Sequence, residues 1–407
     1  MSNYSLFSVL GLEIEYMLVD TATLSVRPKS DIILEALAGK QADEVVLGDI
    51  SVSNELVMHV LEFKNNGPKP PTAPIASQFQ TAIMQVQPLL SQHGLQLLPT
   101  GAHPWMAPLQ ETRRWPHGNR AIYNQFNRIF NCEGHGWSNL QSMHVNLPFA
   151  NDDEFFQLHT LVRLILPLLP ALAASTPFLE GQATGFLDSR LYYYGKNQQK
   201  IPSISGDIIP EFIQSQAQYM EAVLLPMYRD IAPYDPEGIL QHEWLNSRAA
   251  IPKFAHHALE IRILDSQECV NADVAIAKVI CAIIKYWHEH SQAHLIEAFP
   301  TAALKALYDN TVRDGLHVMV EDTQLLGQWQ LPPRAISVRE VWAQLIARVS
   351  SALDSTSQVI LEHILSHGSL SERVLAACRQ DTSRETIAAV YRQLGQCLLA
   401  NQVFYSS

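Results

Sequence analysis

The sequence predicts an α+β fold, because short segments with the alternation of β-strands are separated by longer segments with helical spacing of apolar residues. Three strand-like segments, residues 11–16, 143–147 and 259–263, place apolar side chains on one face and Glu, His, Asn or Arg on the other. Successive side chains of a strand point to opposite faces, so Glu13 and Glu15 share one face. Beyond residue 300, apolar residues recur every three to four positions, which predicts a helical C-terminal part.

The order of the elements follows from these patterns and from the breakers between them. The apolar run 161–174 is interpreted as part of a buried helix that begins with a cap at Asn151 or Asp152. Residues 110–137 are rich in Arg, Trp, Asn, His and Gly, and their pattern assigns no element. The predicted strands are 7–20, 55–63, 95–99, 140–149 and 257–265, the predicted helices are 31–37, 76–93, 153–174, 210–225 and 271–290, and the predicted loops are 100–104 and 175–200.

Composition argues against several classes of protein. The chain has 407 residues, 47% hydrophobic and 17% charged, which is ordinary for a globular protein of one large or two smaller domains. The net charge of −12 argues against nucleic acid as a partner. The five cysteines are widely spaced without a C-x-x-C pair, and the N-terminus lacks a leader pattern, so we expect a cytoplasmic protein. The run 161–174 is too short to span a bilayer, so no membrane partner is expected.

The polar faces of the predicted strands contain the candidate functional residues. Taken alone, an E-x-E strand is more often a solvated face, and a lone His144 is more often a hydrogen-bonded core histidine. Glu260 and Arg262 could form an ordinary ion pair of little energetic weight. Several acids on neighbouring strands repel one another, however, and they need a compensating cation. Their combination therefore indicates a site for a hard cation, with Mg²⁺ and a phosphate-bearing ligand as the favoured pair.

Six segments, taken in order, resemble the type 2 glutamate–cysteine ligase family of carboxylate–amine ligases. They are G-L-E-I-E at 11–15, E-L-V-M-H-V-L-E at 55–62, P-T-G-A-H-P-W at 99–105, S-M-H-V-N-L-P-F at 142–149, A-A-S-T-P-F-L-E-G-Q-A-T-G-F-L-D-S-R at 173–190 and A-L-E-I-R-I-L-D at 258–265. The last three segments carry most of the resemblance, which covers about residues 8–290.

The resemblance implies a glutamine-synthetase-like (guanido-kinase-like) catalytic fold. In that fold an antiparallel sheet lines a cleft, helices cover its outer face, metal ions lie between the strands, and ATP enters from one end. The resemblance implies a catalytic domain over 1–290 and a helical C-terminal extension over 291–407 packed on it. We expect that extension to be structural cover or the surface of a homo-oligomer.

The resemblance also implies the role of each site residue. Two arginines would act in catalysis, Arg262 on the transferring phosphoryl group and Arg190 on phosphate or an acidic substrate. The implied metal ligands are Glu13, Glu55 and Glu62 at one site and Glu15, His144 and Glu260 at the other, with Glu62 as a candidate bridge. The candidate substrate- or ATP-binding residues are Asn146, Arg248, Tyr192 and Trp244.

Two features depart from the family pattern. Glu55 and Glu62 are seven residues apart, which puts them on opposite faces of an unbroken strand, so either a bulge intervenes or Glu55 lies in a loop before the strand. The segment 63–69, F-K-N-N-G-P-K, also lacks the short Thr-Pro turn of better-known members. The acceptor amine therefore cannot be assigned from these motifs.

The expected function is that of an ATP- and Mg²⁺-dependent ligase, with Mn²⁺ compatible with the single histidine. It would activate the side-chain carboxylate of glutamate as an acyl phosphate and join it to an amine, with cysteine as the family's usual acceptor. Gly-rich nucleotide motifs of the P-loop and Rossmann types are absent from the sequence. The alternatives are a ligase for another amine or acid, a metal-dependent hydrolase, and a non-catalytic nucleotide- or amino-acid-binding regulator.

Overall fold

An eight-stranded antiparallel sheet organises the fold and confirms the predicted α+β class. The structure is a computed structural model that describes residues 4–290, 299–379 and 381–405. The sheet has the order β2-β3-β4-β1-β6-β10-β9, and β5 pairs with the end of β1. The strands are β1 Gly11–Asp20, β2 Glu44–Leu47, β3 Ile50–Asn54, β4 Val60–Asn65, β5 Leu95–Leu98, β6 Ser142–Pro148, β7 Phe178–Leu179, β8 Gln182–Ala183, β9 Ala250–Lys253, β10 Ala258–Asp265, β11 Met319–Val320 and β12 Ile336–Ser337.

Helices surround the sheet and predominate in the described C-terminal part, where the two-residue strands β11 and β12 pair with each other. They are α1 Ser30–Ala38, α2 Ile75–Gln92, α3 Pro108–Glu111, α4 Arg120–Phe130, α5 His135–Ser138, α6 Asp152–Ile165, α7 Leu169–Ala173, α8 Ser189–Tyr194, α9 Gln216–Tyr219, α10 Leu225–Ile231, α11 Val270–His290, α12 Thr301–Asp314, α13 Thr323–Gln328, α14 Val338–Val349, α15 Ser355–His367, α16 Leu370–Cys378 and α17 Arg384–Ala400.

The two faces of β1 show how the core is placed. Leu12, Ile14 and Tyr16 are buried on one face, in the main apolar cluster, which the helices also line. On the opposite face the strand carries first the acids and then Met17 and Val19, which pack in a second cluster with residues of α16 and α17. The C-terminal helices thus cover the far end of the face that carries the acids.

The C-terminal helices share the main core with the rest of the chain. The indole nitrogen of Trp329 donates to the carbonyl of Leu164 at 3.1 Å, and that of Trp342 donates to the carbonyl of Leu168 at 3.1 Å. Both tryptophans are fully buried. The predicted boundary between domains at residue 290 stays a prediction.

The strand predicted at 55–63 is wrong in extent. Two strands, β3 and β4, flank a connection that contains Glu55. The backbone of this connection pairs elsewhere, because Trp115 N–H donates to the carbonyl of Leu56 at 2.9 Å and Met58 N–H to that of Arg113 at 2.8 Å. Of the two explanations for the seven-residue spacing, the loop is correct.

Three other stretches differ from the prediction. The unassigned residues 110–137 contain most of α5, all of α4 and the end of α3, and the predicted loop 175–200 contains α8, which Asp188 caps by accepting from Leu191 N–H. The helix predicted at 210–225 begins later, at Gln216, and continues through a π-helical turn to Ile231. Short helices with few repeats of the apolar spacing carry a weak sequence signal.

The buried helix predicted at 153–174 is confirmed, with a cap and an interruption. Asn151 caps it by accepting from Glu154 N–H at 3.0 Å. After Ile165 one 3₁₀ turn containing Pro167 separates α6 from α7, because proline supplies no N–H for the helical ladder. By length and composition this segment could cross a membrane, but 89% of its most apolar window is buried inside the protein, as in a core helix.

Candidate functional site

Four neighbouring strands, β4, β1, β6 and β10, bring predicted site residues into one row. In the antiparallel register, Glu13 on β1 lies opposite His144 on β6, and Glu15 lies opposite Glu62 on β4. On the other side of β6, Glu260 of β10 lies opposite Asn146. The row follows from the alternation of side chains, because residues paired across strands project from the same face of the sheet.

Within this row, two groups of side chains could each hold a cation. Glu13, His144 and Glu260 form one, called here the Glu13 group, and Glu15, Glu62 and His144 form the other, the Glu15 group. In each group the ligand atoms all lie within 4.8 Å of one another. This grouping differs from the one that the resemblance implies, because Glu13 and Glu15 exchange places. The neighbours across adjacent strands determine which acids lie together. Those neighbours depend on the register between strands that are far apart in the sequence.

Glu55 approaches the row from the connection after β3 and belongs to neither three-ligand group. It lines the same cavity as Glu15 and His144. Burial and the charge of Glu15 raise the pKa of Glu55 to about 7. Without a bound cation, Glu55 therefore keeps its proton to a higher pH than an exposed glutamate does.

The surroundings shift the pKa values of the other acids and of His144 in different directions. Burial, together with the charges of Glu13 and Glu55, raises the pKa of Glu62 to about 7, and burial also raises the pKa of Glu15. Burial opposes the ionisation of Glu13, but the hydrogen bond with His144 and the charge of Lys253 prevail and hold its pKa well below the usual range. Burial likewise opposes the charging of His144, but Glu260 and Glu13 raise its pKa. Carboxylates that repel one another this strongly, with one imidazole among them, fit a hard divalent cation such as Mg²⁺ or Mn²⁺.

The sequence analysis missed two lysines that contact the row. Lys64 Nζ lies 3.1 Å from Glu62 Oε2 and 3.1 Å from Glu44 Oε2. Lys253 forms an ion pair with Glu260, and its Nζ lies 3.6 Å from Glu13 Oε1. The sequence signal was the alternation in β4, which puts Lys64 on the face of Glu62.

A cleft of about 230 Å³ opens beside the Glu15 group. Both predicted catalytic arginines line it. Arg262 donates from Nη1 to the carbonyl of Asn246 at 3.1 Å, and its Nε lies 3.4 Å from Glu260 Oε1. Arg190 is buried and forms an ion pair with Asp265, while its Nη2 makes no hydrogen bond within the described residues. Two arginines thus lie in the cleft beside the acids, in addition to the two lysines.

The four candidate substrate- or ATP-binding residues do not all lie in this cleft. Trp244 lines the cleft, and Asn146 donates to Glu13 Oε1 at 3.0 Å. Arg248 does not line the cleft, because Glu211 holds its guanidinium through two hydrogen bonds of 2.6 Å. Tyr192 points elsewhere and stacks on Phe186 with ring centroids 4.3 Å apart, so Tyr194 is the tyrosine of α8 in the cleft.

Aromatic and polar residues from the unassigned stretch 110–137 complete the cleft. Tyr123, Phe126 and Trp137 line it. Phe126 packs against Trp137 and Trp244, with ring centroids 5.4 Å and 5.9 Å apart. The density of Trp, Asn and Arg in this stretch was a compositional signal, but without a periodic pattern it did not identify these side chains.

A second, larger cavity of about 790 Å³ lies beside Glu13. Its lining is rich in cations and amide groups and includes the two lysines of the row. These residues include Lys64, Asn65, Asn146, Lys253, His256 and His257. The row of acids therefore lies between an arginine-containing aromatic cleft and a lysine-containing cavity.

Comparison with known proteins bears on the family and the fold of this chain. A family model described as glutamate–cysteine ligase family 2 matches residues 9–393, well past the limit at about residue 290 that the motifs indicate. The chain is 31% identical to a protein of Archaeoglobus fulgidus that carries the name "Uncharacterized protein", over 97% of this chain and 100% of that one.

Two solved structures share the fold. Glutamate–cysteine ligase from Francisella tularensis, in complex with AMP, superposes with a TM-score of 0.65 at 13% identity over 97% of this chain and 90% of that one. A bifunctional glutathione synthetase from Pasteurella multocida superposes with a TM-score of 0.55 at 12% identity over 95% of this chain and 53% of that one. At such low identity the likeness concerns the fold.

Proposed function

The chain belongs to glutamate–cysteine ligase family 2 and is an ATP-dependent ligase, and on that basis we propose that it joins the side-chain carboxylate of glutamate to an amine. Cysteine is the leading acceptor, and the product would then be γ-glutamylcysteine. We propose Mg²⁺ as the cation, with Mn²⁺ as a substitute.

One observation carries this proposal: two groups of cation ligands and two arginines line the same row and cleft. Acids alone would suit many metal-dependent reactions. Arg262 and Arg190 beside them favour a ligand that brings its own negative charge, as a transferring phosphoryl group does. A hydrolase of amides, by contrast, brings no phosphoryl group for these arginines to contact.

The reaction couples two substitutions. A carboxylate oxygen of glutamate attacks the γ-phosphorus of ATP, and the bond to ADP breaks, so the product is an acyl phosphate. The amine nitrogen then attacks the acyl carbon, phosphate leaves, and the nitrogen loses a proton. Phosphoryl transfer depends mainly on positioning and on neutralising charge.

The side chains of the cleft would hold the reacting groups. Arg262 is fixed by the carbonyl of Asn246 and by Glu260, so its remaining N–H groups can contact the transferring phosphoryl group. Arg190 is fixed through Asp265, and its unpaired Nη2 could contact phosphate or the acidic substrate. The Glu13 and Glu15 groups would hold divalent cations, which neutralise the charge on the phosphates.

The residues that line the cleft bear on which amine the protein uses as the acceptor. Phe126, Trp137 and Trp244 present aromatic surface next to Glu55 and Glu15. Sulfur packs favourably against aromatic rings, which is compatible with cysteine as the acceptor. The same surface accommodates other amines with a small apolar side chain, so a ligase for another amine is the second candidate.

The test measures release of ADP from ATP and Mg²⁺ in the presence of glutamate, with each amino acid and simple amine added singly. We expect release that depends on both glutamate and one amine, with formation of the γ-amide detected by mass spectrometry. Release with glutamate alone would indicate that the acyl phosphate forms without the correct acceptor. A complete absence of release with every combination would contradict glutamate as the donor.

We also propose a reducing, cytoplasmic site of action. All five cysteines are free in the structure, and three of them, Cys132, Cys269 and Cys378, are buried. Reducing compartments preserve such thiols. Fractionation of cells that express the chain tests this.

A further inference from the structure

The carboxylates of the Glu13 group are already paired by the protein itself. Glu13 Oε2 lies 3.1 Å from His144 Nδ1, and Glu13 Oε1 accepts from Asn146 Nδ2 at 3.0 Å. Glu260 Oε1 faces Arg262, and Glu260 Oε2 forms an ion pair with Lys253. All four oxygen atoms of these two acids therefore have a donor or a cation next to them.

The Glu15 group differs in this respect. Glu15 Oε2 accepts from the backbone and hydroxyl of Ser142, and Glu62 Oε2 accepts from Ser53 and Lys64. The other oxygen of each acid, Oε1, accepts no hydrogen bond from any described residue. This group keeps one oxygen on each carboxylate open for a cation.

Lys253 holds a particular position relative to the Glu13 group. Its ammonium lies between Glu13 and Glu260, two of the three ligands of that group. An ammonium and a divalent cation compete for these two carboxylates, because the two positive charges repel each other at this distance. The side chain is 28% exposed and borders the larger cavity, so it has space into which it can withdraw.

We infer that Lys253 is the built-in counter-ion of the Glu13 group, and that a divalent cation enters this group only in exchange for the Lys253 ammonium. The inference rests on the metal-binding part of the proposed function and goes beyond it, because it assigns a residue that sets the affinity of one metal site. The exchange lowers the affinity of the Glu13 group for metal, whereas the Glu15 group binds without displacing an ammonium from two of its ligands.

The Glu13 group binds a metal ion more weakly because an existing ion pair must break when the metal ion enters. In a partly buried position an ion pair between one ammonium and two carboxylates is screened less than at the surface. The freed ammonium then faces the cavity lined by Lys64, His256 and His257, where an anion such as a polyphosphate would compensate it. Metal and anion would therefore favour each other's binding.

The test is a titration of the metal-free 407-residue chain with Mn²⁺, without nucleotide or amino acid, followed by calorimetry and by the electron paramagnetic resonance of free Mn²⁺. We expect the variant Lys253→Met to bind Mn²⁺ at one site at least about tenfold more tightly than the wild type. Lys253→Arg, which keeps the charge, should retain the weaker affinity. Adding Glu260→Gln to Lys253→Met should remove the gain.

A matched control separates this exchange from a general effect of charge. Lys278 is 27% exposed and pairs with Asp354 at 2.6 Å, away from the row, so Lys278→Met removes the same charge at the same exposure. It should leave Mn²⁺ affinity unchanged. Unchanged or weaker binding in Lys253→Met, or equal tightening in Lys278→Met, would overturn the inference.

Two measurements keep the result interpretable. Circular dichroism and thermal unfolding establish that each variant folds, and Lys253→Gln replaces Lys253→Met if the latter does not. If neither the wild type nor any folded variant binds Mn²⁺, the inference fails. Release of ADP by the wild type then decides separately whether the ligase proposal survives.

Discussion

Glu15 and Glu62 face each other across two neighbouring strands, a pairing of like charges that destabilises a sheet unless it is compensated. Their neighbours explain how the fold holds them. Ser142 donates to Glu15 and Ser53 donates to Glu62, so each acid keeps one hydrogen-bonded oxygen. Under the proposed function, a bound cation would offset the free energy that this arrangement costs.

At Glu62, the change to Gln removes one charge from the Glu15 group and keeps the shape of the side chain. We expect ligase turnover to fall below detection, because the group loses a carboxylate ligand. The fold should persist, since the change also removes repulsion from Glu13 and Glu55. ADP release and thermal unfolding measure the two effects. Near-normal turnover would remove Glu62 from the proposed site.

At Arg262, the change to Ala removes one of the two arginines that line the cleft, the one proposed to contact the phosphoryl group. We expect the rate of ADP release to fall on the order of 10³-fold, the range known for arginines that contact a transferring phosphoryl group. Arg248→Lys serves as the control, because Arg248 pairs with Glu211 outside the cleft. A folded Arg248→Lys that loses as much activity as Arg262→Ala would argue against this assignment.

The stability of the metal-free protein should depend on pH through Glu55 and Glu62. Their pKa values are raised from 4.5 to about 7, chiefly by burial, so the folded protein retains protons that the unfolded chain has already released in that interval. These acids therefore stabilise the fold at low pH, and their contribution is lost as the pH rises from about 5 to 8. Chemical unfolding of the wild type and of Glu55→Gln/Glu62→Gln, without metal, measures it.

The double variant is the reference because buried histidines also titrate in the acid range. The wild type should lose stability relative to the variant between these pH values, and added Mg²⁺ should abolish the loss. A difference that stays constant from about pH 5 to 8 would contradict the raised pKa values.

At the scale of elements, alternation predicted which residues share a face but not which strands meet. The faces of β1, β6 and β10 followed directly from the two-residue period, and with them the row of Glu13, Glu15 and Glu260. The grouping of these acids depends on register, and the position of Glu55 depends on pairing between Leu56 and Trp115, which are far apart in sequence. A single sequence contains no periodic pattern that predicts such contacts.

The same dependence on contacts between distant residues explains why the sequence predicted a site role for Arg248 and none for Lys253. Arg248 and Lys253 look alike in sequence, as single cations near polar segments. Glu211 turns Arg248 into part of the scaffold, whereas Glu13 and Glu260 bring Lys253 into the row. Only the folded chain distinguishes them.

The start of α6 offers a test at this scale. The side chain of Asn151 accepts from Glu154 N–H, and we expect Asn151→Ala to lower the free energy of unfolding by about 1 kcal/mol. Asn151→Asp, which retains an accepting oxygen, should stay within a few tenths of the wild type. Urea unfolding measures both. ADP release per folded molecule should not change, because the cap lies outside the cleft.

At the scale of the whole molecule, one buried ion pair joins the C-terminal helices to the sheet. Arg373 of α16 pairs with Glu268, which follows the end of β10, and both side chains are almost completely buried. Glu268 is three residues from Asp265, the partner of Arg190. The C-terminal helices therefore support the strand that carries Glu260 and Arg262.

Removing one partner of this pair should destabilise the whole fold. We expect Arg373→Met to lower the free energy of unfolding by about 3–5 kcal/mol, because it leaves Glu268 buried and unpaired. The double variant Arg373→Met/Glu268→Gln should recover part of the loss, since the uncompensated charge is gone. Urea unfolding of both variants provides the comparison. Equal stability of Arg373→Met and the wild type would show that the pair contributes little.

Phe404 completes this ion pair, because its N–H donates to Glu268 Oε1 at 3.1 Å and its carbonyl accepts from Arg373 Nη1 at 2.8 Å. A nascent chain on the ribosome cannot make these contacts until residue 404 has emerged from the exit tunnel. The strand with Glu260 and Arg262 then acquires this support only when Phe404, 136 positions after Glu268, is available. Chains on the ribosome that have not yet exposed Phe404 would therefore hold the ligand row without these two hydrogen bonds.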